Sequence, residues 1–286
     1  MTQTTHTMNH LELQRIFHPS DFTAGDEGAF AHALKVALAA RAELNLLHAN
    51  PDTSDVDWDD FPSVRQTLEK WGLLAPGGTK EDVRRLGLDV HKVKRAGDDP
   101  VRTILRYLRG REIDLIVLAT HQRRGLSRWM NRSIAEPIAR ESRAMTLFVP
   151  RRVVGFVSLD TGALHLEHIV VPVDRIPDPQ RAVDAAALFG GVLGCAKLQI
   201  TLLHVGSESE APTIDPPDHP GWEIDTLNTS GNVVEEILRV SEERDADLIA
   251  MSTQGRDGFL DAFRGSTTEQ VLREAHCPVL AIPATA

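Results

Sequence analysis

Two periods alternate along the chain. Asp114-Leu-Ile-Val-Leu-Ala119 is apolar almost throughout, as a strand buried on both faces of a sheet must be. Gly28 to Ala42 instead places Phe30, Ala33, Leu34, Ala37, Leu38 and Ala42 at the spacing of a helix with one buried face. On the same criteria the first half predicts strands at Ile16–Asp21, Glu43–Ala49, Asp89–Arg95, Asp114–Ala119 and Thr146–Val149. Helices are predicted at Gly28–Ala42, in broken segments Ser63–Leu74 and Thr79–Leu86 around Pro76-Gly-Gly78, at Pro100–Arg109 and at Ser133–Arg143. An acidic loop, Asn50 to Asp60, follows the second strand. Strands that alternate with helices specify an α/β fold with a parallel, doubly wound sheet.

The second half repeats the first. His168–Asp174 answers Phe17–Asp21, and Leu198–Val205, ending Leu-Leu-His-Val, answers Leu46-Leu-His-Ala49. Asp114–Pro150 and Asp247–Pro283 align without a gap at a constant offset of 133, with twelve identities in 37 positions. Such self-similarity marks an internal duplication. The 286 residues then divide into domains of residues 11–152 and 166–286, connected by a linker over 151–167. The halves differ where the first has its broken helices. There the second has Gly206 to Pro220, too rich in proline for a helix and expected as a loop.

Chemistry concentrates in Met251-Ser-Thr-Gln-Gly-Arg-Asp-Gly-Phe-Leu-Asp-Ala-Phe-Arg-Gly-Ser-Thr-Thr-Glu-Gln270, between the strand Asp247–Met251 and a helical pattern that opens at Ser266. Gly255, Gly258 and Gly265 let backbone N–H groups approach an anion, and Ser266 with Glu269 three residues on has the form of a capping box. Free N–H groups at a helix start favour phosphate. The spacing is neither that of a P-loop, which needs a Lys before its Ser/Thr, nor a dinucleotide G-x-G-x-x-G. It resembles the signature of the universal stress protein family, Gly-x2-Gly-x9-Gly-(Ser/Thr), whose ATP-binding members wrap the triphosphate with it. Gly255 and Gly265-Ser266 match its second and third glycines, and Ser252 stands in place of the first.

With the duplication, the resemblance covers nearly the whole chain and identifies it as similar to a tandem member of that family. It implies two tandem doubly wound domains, each with five parallel strands in the order 3-2-1-4-5. It also implies ATP, with Mg²⁺ as a candidate companion, held in the second half. Pro172, Val173 and Asp174 would hold the adenosine end and Val205 would form part of the adenine wall. Met251, Ser252, Thr253, Gly255, Arg256, Gly265, Ser266 and Thr267 would hold the phosphate side. In that strand order the sheet reverses beside strand 1, where ligands of open α/β sheets bind. Plainer roles stand beside these: Asp174 as N-cap of a helix beginning near Pro177, Arg256 and Arg264 as solvated ends, Ser266 and Thr267 as simple caps.

The first half departs from the signature. Ala119, Gln122 and Arg132 occupy the positions of Ser252, Gly255 and Gly265, although Asp21 and Ser133 remain. A Cβ at each position narrows the space for a triphosphate, so one nucleotide per chain is expected. Arg123, Arg124, Arg128 and Arg132 make this loop basic, suited to another anion, a lipid head group or a protein partner, or simply to solvent. The last strands, Thr146–Val149 and Val279–Ile282, are edges that need covering, so the halves are expected to pair through them. The resemblance adds a homodimer as a further form of self-association.

Composition narrows the function. Forty-one acidic against 31 basic residues give a net charge of −10, which opposes a nucleic-acid groove. No apolar run approaches the ~18 residues of a membrane span. Met1 to His10 lacks the basic and apolar regions of a signal peptide, so a cytoplasmic location is expected. Cys195 and Cys277 lie far apart in apolar company and are expected as buried thiols. His6, His10, His18, His165 and His168 lack ligand spacing, so no metal site is expected. The cradle has no Walker Lys, no spaced carboxylate pair and no Ser/His/Asp arrangement, so any ATPase activity should be slow at most. The expectation is an ATP-binding stress-response regulator. The alternatives are a nucleotide-independent interaction scaffold, or a binder of a lipid or other anion through the first half.

Overall fold

The computed structural model describes residues 12–20, 24–50, 63–120, 135–142, 144–253 and 267–284. The first half contains β1 (Arg15–Pro19), α1 (Glu27–Ala40), β2 (Glu43–Asn50), α2 (Val64–Lys70), α3 (Lys80–Arg85), β3 (Asp89–Ala96), α4 (Pro100–Leu108), β4 (Leu115–Thr120), α5 (Ala135–Ser142) and β5 (Met145–Pro150). The second contains β6 (His168–Pro172), α6 (Gln180–Val192), β7 (Leu198–Val205), β8 (Trp222–Thr229), α7 (Val233–Glu243), β9 (Leu248–Thr253), α8 (Thr267–Glu274) and β10 (Val279–Pro283). Helix starts follow the local chemistry. Ser63, Asp99 and Asn232 accept first-turn amides, Thr79 and Asp82 form a reciprocal capping box, and Pro100 opens α4 where no N–H is needed.

The ten strands among the described residues form one sheet, in the order β3-β2-β1-β4-β5-β10-β9-β6-β7-β8. Each half thus has the expected 3-2-1-4-5 order of parallel strands. They join where β5 and β10 run antiparallel, with Phe148 opposite Val279, Leu147 opposite Leu280 and Thr146 opposite Ala281. The expected pairing of the last strands is therefore present, and each covers the other's edge. On one face, α1, α2, α3 and α6 share a single hydrophobic core that crosses from half to half. On the other, α4 and α5 enclose one core, and α7 and α8 a second.

The duplicated stretches begin on a duplicated staple. Asp114 Oδ2 accepts the amides of Gln14 (2.8 Å) and Arg15 (2.7 Å), and Asp247 Oδ2 accepts those of Glu167 (2.7 Å) and His168 (3.0 Å). Each carboxylate ties the start of the fourth strand to the start of the first, at the amino ends of the strands. This matching Asp is structural.

Several expectations need correction. β1 ends at Pro19, short of Asp21, which lies outside the described residues. β8 lies where the sequence carries no predicted strand, although Trp222-Glu-Ile-Asp alternates as a half-buried edge strand does. Residues 206–221 form the expected loop, with one 3₁₀ turn at Glu208–Glu210. Cys277 is buried, and burial foremost, with the charge of Asp247 second, pushes its thiol up to about 12. Cys195 is only partly buried, contrary to expectation, though burial still raises its thiol.

The connection over 151–167 is packed into the fold, with Phe156 and Val157 wholly buried. His32 of α1 holds it. Its Nδ1 donates to Gly28 O (2.7 Å), its Nε2 accepts the Phe156 amide (3.1 Å), and its ring meets the Phe156 ring edge-on at 4.4 Å. Gly155, at φ 68°, permits this approach, since a Cβ there would lie 2.4 Å from the imidazole. Trp71 Nε1 donates to Leu159 O (3.2 Å), and Lys70 pairs with Asp160 (2.6 Å). Apolar residues within a nominal linker are better buried than solvated, and α1 and α2 supply the surface.

Candidate functional site

β6 lies between β7 and β9, so the sheet order reverses there and a crevice opens beyond the carboxyl ends of the strands. Pro172 ends β6, Val205 ends β7, and Met251, Ser252 and Thr253 end β9. Thr267 is the first residue of α8. The fold therefore gathers Pro172, Val173, Asp174, Val205, Met251, Ser252 and Thr253 along one end of the sheet. Gly255, Arg256, Gly258, Arg264, Gly265 and Ser266 lie outside the described residues.

Asp174 is exposed, and its Oδ1 accepts the amide of Arg175 at 2.7 Å. It does not cap α6. That helix begins at Gln180 behind Pro179, with no side-chain cap on the Pro179 position, and Asp178 Oδ1 takes the Gln180 amide at 3.1 Å. The alternative of Asp174 as an N-cap is thereby removed. Val173 is buried, and its amide continues the ladder to Leu203 O (2.8 Å).

The residues of β9 divide by role. Met251 is buried in the core with α7 and α8, so only its backbone faces the crevice. Thr253 is buried and donates to Ile282 O (3.3 Å), a bond within the sheet. Ser252 Oγ donates to Asp178 O at 2.7 Å, which bolts the end of β9 to the loop leading into α6. Where the signature has its first glycine, this chain thus has a fastener across the crevice. Glu269 is buried and pairs with Arg273 one turn on.

The histidine of the repeated Leu-Leu-His also borders this region. His204 of β7 is buried, and its Nδ1 faces Val173 O at 3.2 Å. Its counterpart His48 does the same in the first half, with Nδ1 2.9 Å from Ser20 O. In both halves the strand-2 His fixes the loop after strand 1. The shared Leu-Leu-His was the signal, but its partner is a backbone atom about 30 residues away and has no mark in the local pattern.

In the first half, Ala119 lies near the end of β4. Asp21, Gln122, Arg123, Arg124, Arg128, Arg132 and Ser133 are outside the described residues. Among the described residues, no helix is long and apolar enough to cross a membrane.

Known proteins align with this architecture. The model of the universal stress protein family matches residues 12–150 and 221–283. A universal stress protein of Methanocaldococcus jannaschii is 40% identical over 62 residues, 22% of this chain and 36% of that relative, so the match spans about a third of the relative's length. One from Synechocystis sp. is 27% identical over 154 residues, 47% of this chain and 95% of that protein. The crystal structure of a universal stress protein from Archaeoglobus fulgidus superposes with a TM-score of 0.59 at 20% identity, covering 94% of this chain and 98% of its own, a likeness of fold.

Proposed function

The chain belongs to the universal stress protein family, and from that premise we propose that it is a stress-response regulator that binds one ATP, with Mg²⁺ as counter-ion, in its second half. The observation that carries this reading is Asp174. It is exposed at the reversal point of the sheet, beside the ends of β7 and β9, and is not used as a helix cap. An exposed carboxylate there that caps no helix suits a ribose hydroxyl or an adenine amino group.

In this reading Pro172, Val173 and Val205 flank the base. Gly255 and Gly265 let N–H groups reach the phosphates, Arg256 adds positive charge, and Ser266 and Thr267 offer the donors of the α8 start. Bound ATP supplies a polyanion with an adenosine handle. The chain's part is to hold it, because the cradle has no Lys and no general-base arrangement. The reading places the protein in the cytoplasm, as domains of residues 11–152 and 166–286 whose contacts respond to the nucleotide.

Calorimetric titration with Mg²⁺-ATP tests it. The native chain should bind, and Asp174→Ala should weaken binding roughly tenfold, the worth of one hydrogen bond. An unresponsive native chain would refute the reading. The rival, a nucleotide-independent scaffold, draws support from Ser252, whose hydroxyl is committed to Asp178 O. Boiled, deproteinised preparations free of copurified nucleotide would favour that rival.

A further inference from the structure

In the first half, α2 and α3 pack into the same core as Leu44 and Leu46 of β2. In the second half the loop of residues 206–221 crosses the corresponding face as a proline-rich strap. Its fastenings are polar. Gln180 Nε2 donates to Asp215 O and its Oε1 accepts the Asp215 amide, both at 2.9 Å, and Arg175 Nη2 donates to Ser209 O at 3.1 Å. Between strap and sheet lies a cavity of about 240 Å³, with Leu202 and Ile224 in its floor and Pro212, Ile214 and Pro216 in its roof. Among the described residues its polar lining is His204 and Thr226, with no charged side chain.

His204 is 3% exposed. A carbonyl can only accept, so of the two neutral tautomers the bond to Val173 O fits the one with the proton on Nδ1. Nε2 is therefore an acceptor, and it is buried without a hydrogen-bond partner. Buried polar atoms are ordinarily satisfied, so an orphan beside a cavity asks for a donor. Gly206 leaves the ground beside it clear. A Cβ there would meet the His204 ring first, with Nε2 at 3.0 Å, and the first half has Asn50 at this position.

We infer that the cavity is a binding site for a small, uncharged, ring-sized molecule that donates one N–H or O–H to His204 Nε2. The volume is that of roughly eight waters at about 30 Å³ each, enough for a single ring system. An ion there would lose its hydration without a counter-charge from the lining. The site touches the proposed nucleotide crevice at Val173, which lines it, and otherwise lies on another face of the sheet. By alternation along β7, His204 shares the α6 face with Leu202, whereas Met251, Val271 and the start of α8 belong to the opposite face. The inference does not rest on the nucleotide reading.

Indole, flat and with one N–H, is the probe, and 1-methylindole, which lacks the donor, is its control. Saturation-transfer NMR with the native chain should show indole bound, and the ¹⁵N resonance of His204 Nε2 should shift. Gly206→Ala, His204→Phe and the methylated probe should each weaken binding by roughly tenfold. Melting curves confirm that the variants fold, and Gly206→Ala carries the test alone if His204→Phe does not. ATP should leave indole in place. Absence of indole binding at millimolar concentration, equal binding by the native chain and Gly206→Ala, or displacement of indole by ATP would each overturn the inference.

Discussion

Over strands 2 and 3 the first half lays two helices, and on α1 and α2 it anchors the connection through His32 and Trp71. Over the same strands the second half lays a strap, fastened by Gln180 and with space beneath it. Yet the two agree in strand order, in the Asp114 and Asp247 staples and in the His48 and His204 ties. The agreements lie in strand order and in side-chain bonds that fix the backbone at the ends of strands 1 and 4, and the differences in connections that need only cover a face. A duplicated fold can thus keep one frame and offer two different surfaces.

The two halves should differ most at the loops after strand 4. Gly265→Val should remove ATP binding while the fold survives, because each charge-assisted phosphate bond lost costs roughly 1.5–3 kcal/mol. Equilibrium dialysis of labelled ATP should saturate near one per native chain and fall to near zero in the variant. Saturation near two would mean that Gln122 and Arg132 leave the first site open.

The seam comes next. Leu280 is fully buried at the β5–β10 junction and belongs to the core that crosses both halves. Leu280→Ala should cost about 3 kcal/mol in urea denaturation. Probes in the two halves should report one shared transition. A transition displaced in the second half alone would show that the halves melt separately.

Acid should distinguish the halves by a similar amount. Burial, only partly opposed by the bond to Gly28 O, lowers His32 to about 4 from the 6.5 it recovers on unfolding. Its native bonds need the neutral ring, with Nε2 accepting from Phe156. Above pH 6.5 the contribution is complete. As the pH falls from 6.5 towards 4 the unfolded chain takes up a proton that the native chain refuses, so about 3 kcal/mol is lost across that window. α6 has no histidine, so the loss belongs to the first half. Stability of His32→Leu measured between pH 7 and 4 should lack this component of the slope, and an unchanged slope would relieve His32 of the role.

The smallest effect concerns the strap. Gln180→Ala removes both bonds to Asp215 and should cost about 1 kcal/mol, the group being exposed. Hydrogen exchange at the Asp215 amide should quicken while the Asp114 and Asp247 staples stay protected. Unchanged exchange there would mean that Gln180 does not hold the strap.

By itself the sequence determined the α/β class, the duplication and the strand order through its family signature, and it pointed to the ends of β6, β7 and β9 for the proposed ligand. These rest on local periodicity and short motifs, which strands and helices express within a few residues. β8 escaped because an edge strand alternates weakly, and its Trp222 and Ile224 follow a proline-rich run that reads as loop. Only the tertiary structure decided that Ser252 bolts β9 to the α6 loop, that the nominal linker is buried against His32, and that His204 presents an unpaired nitrogen beside a cavity. Each of those depends on atoms brought together from distant parts of the chain or on the shape of the space between them, and neither leaves a period or a spacing in the sequence.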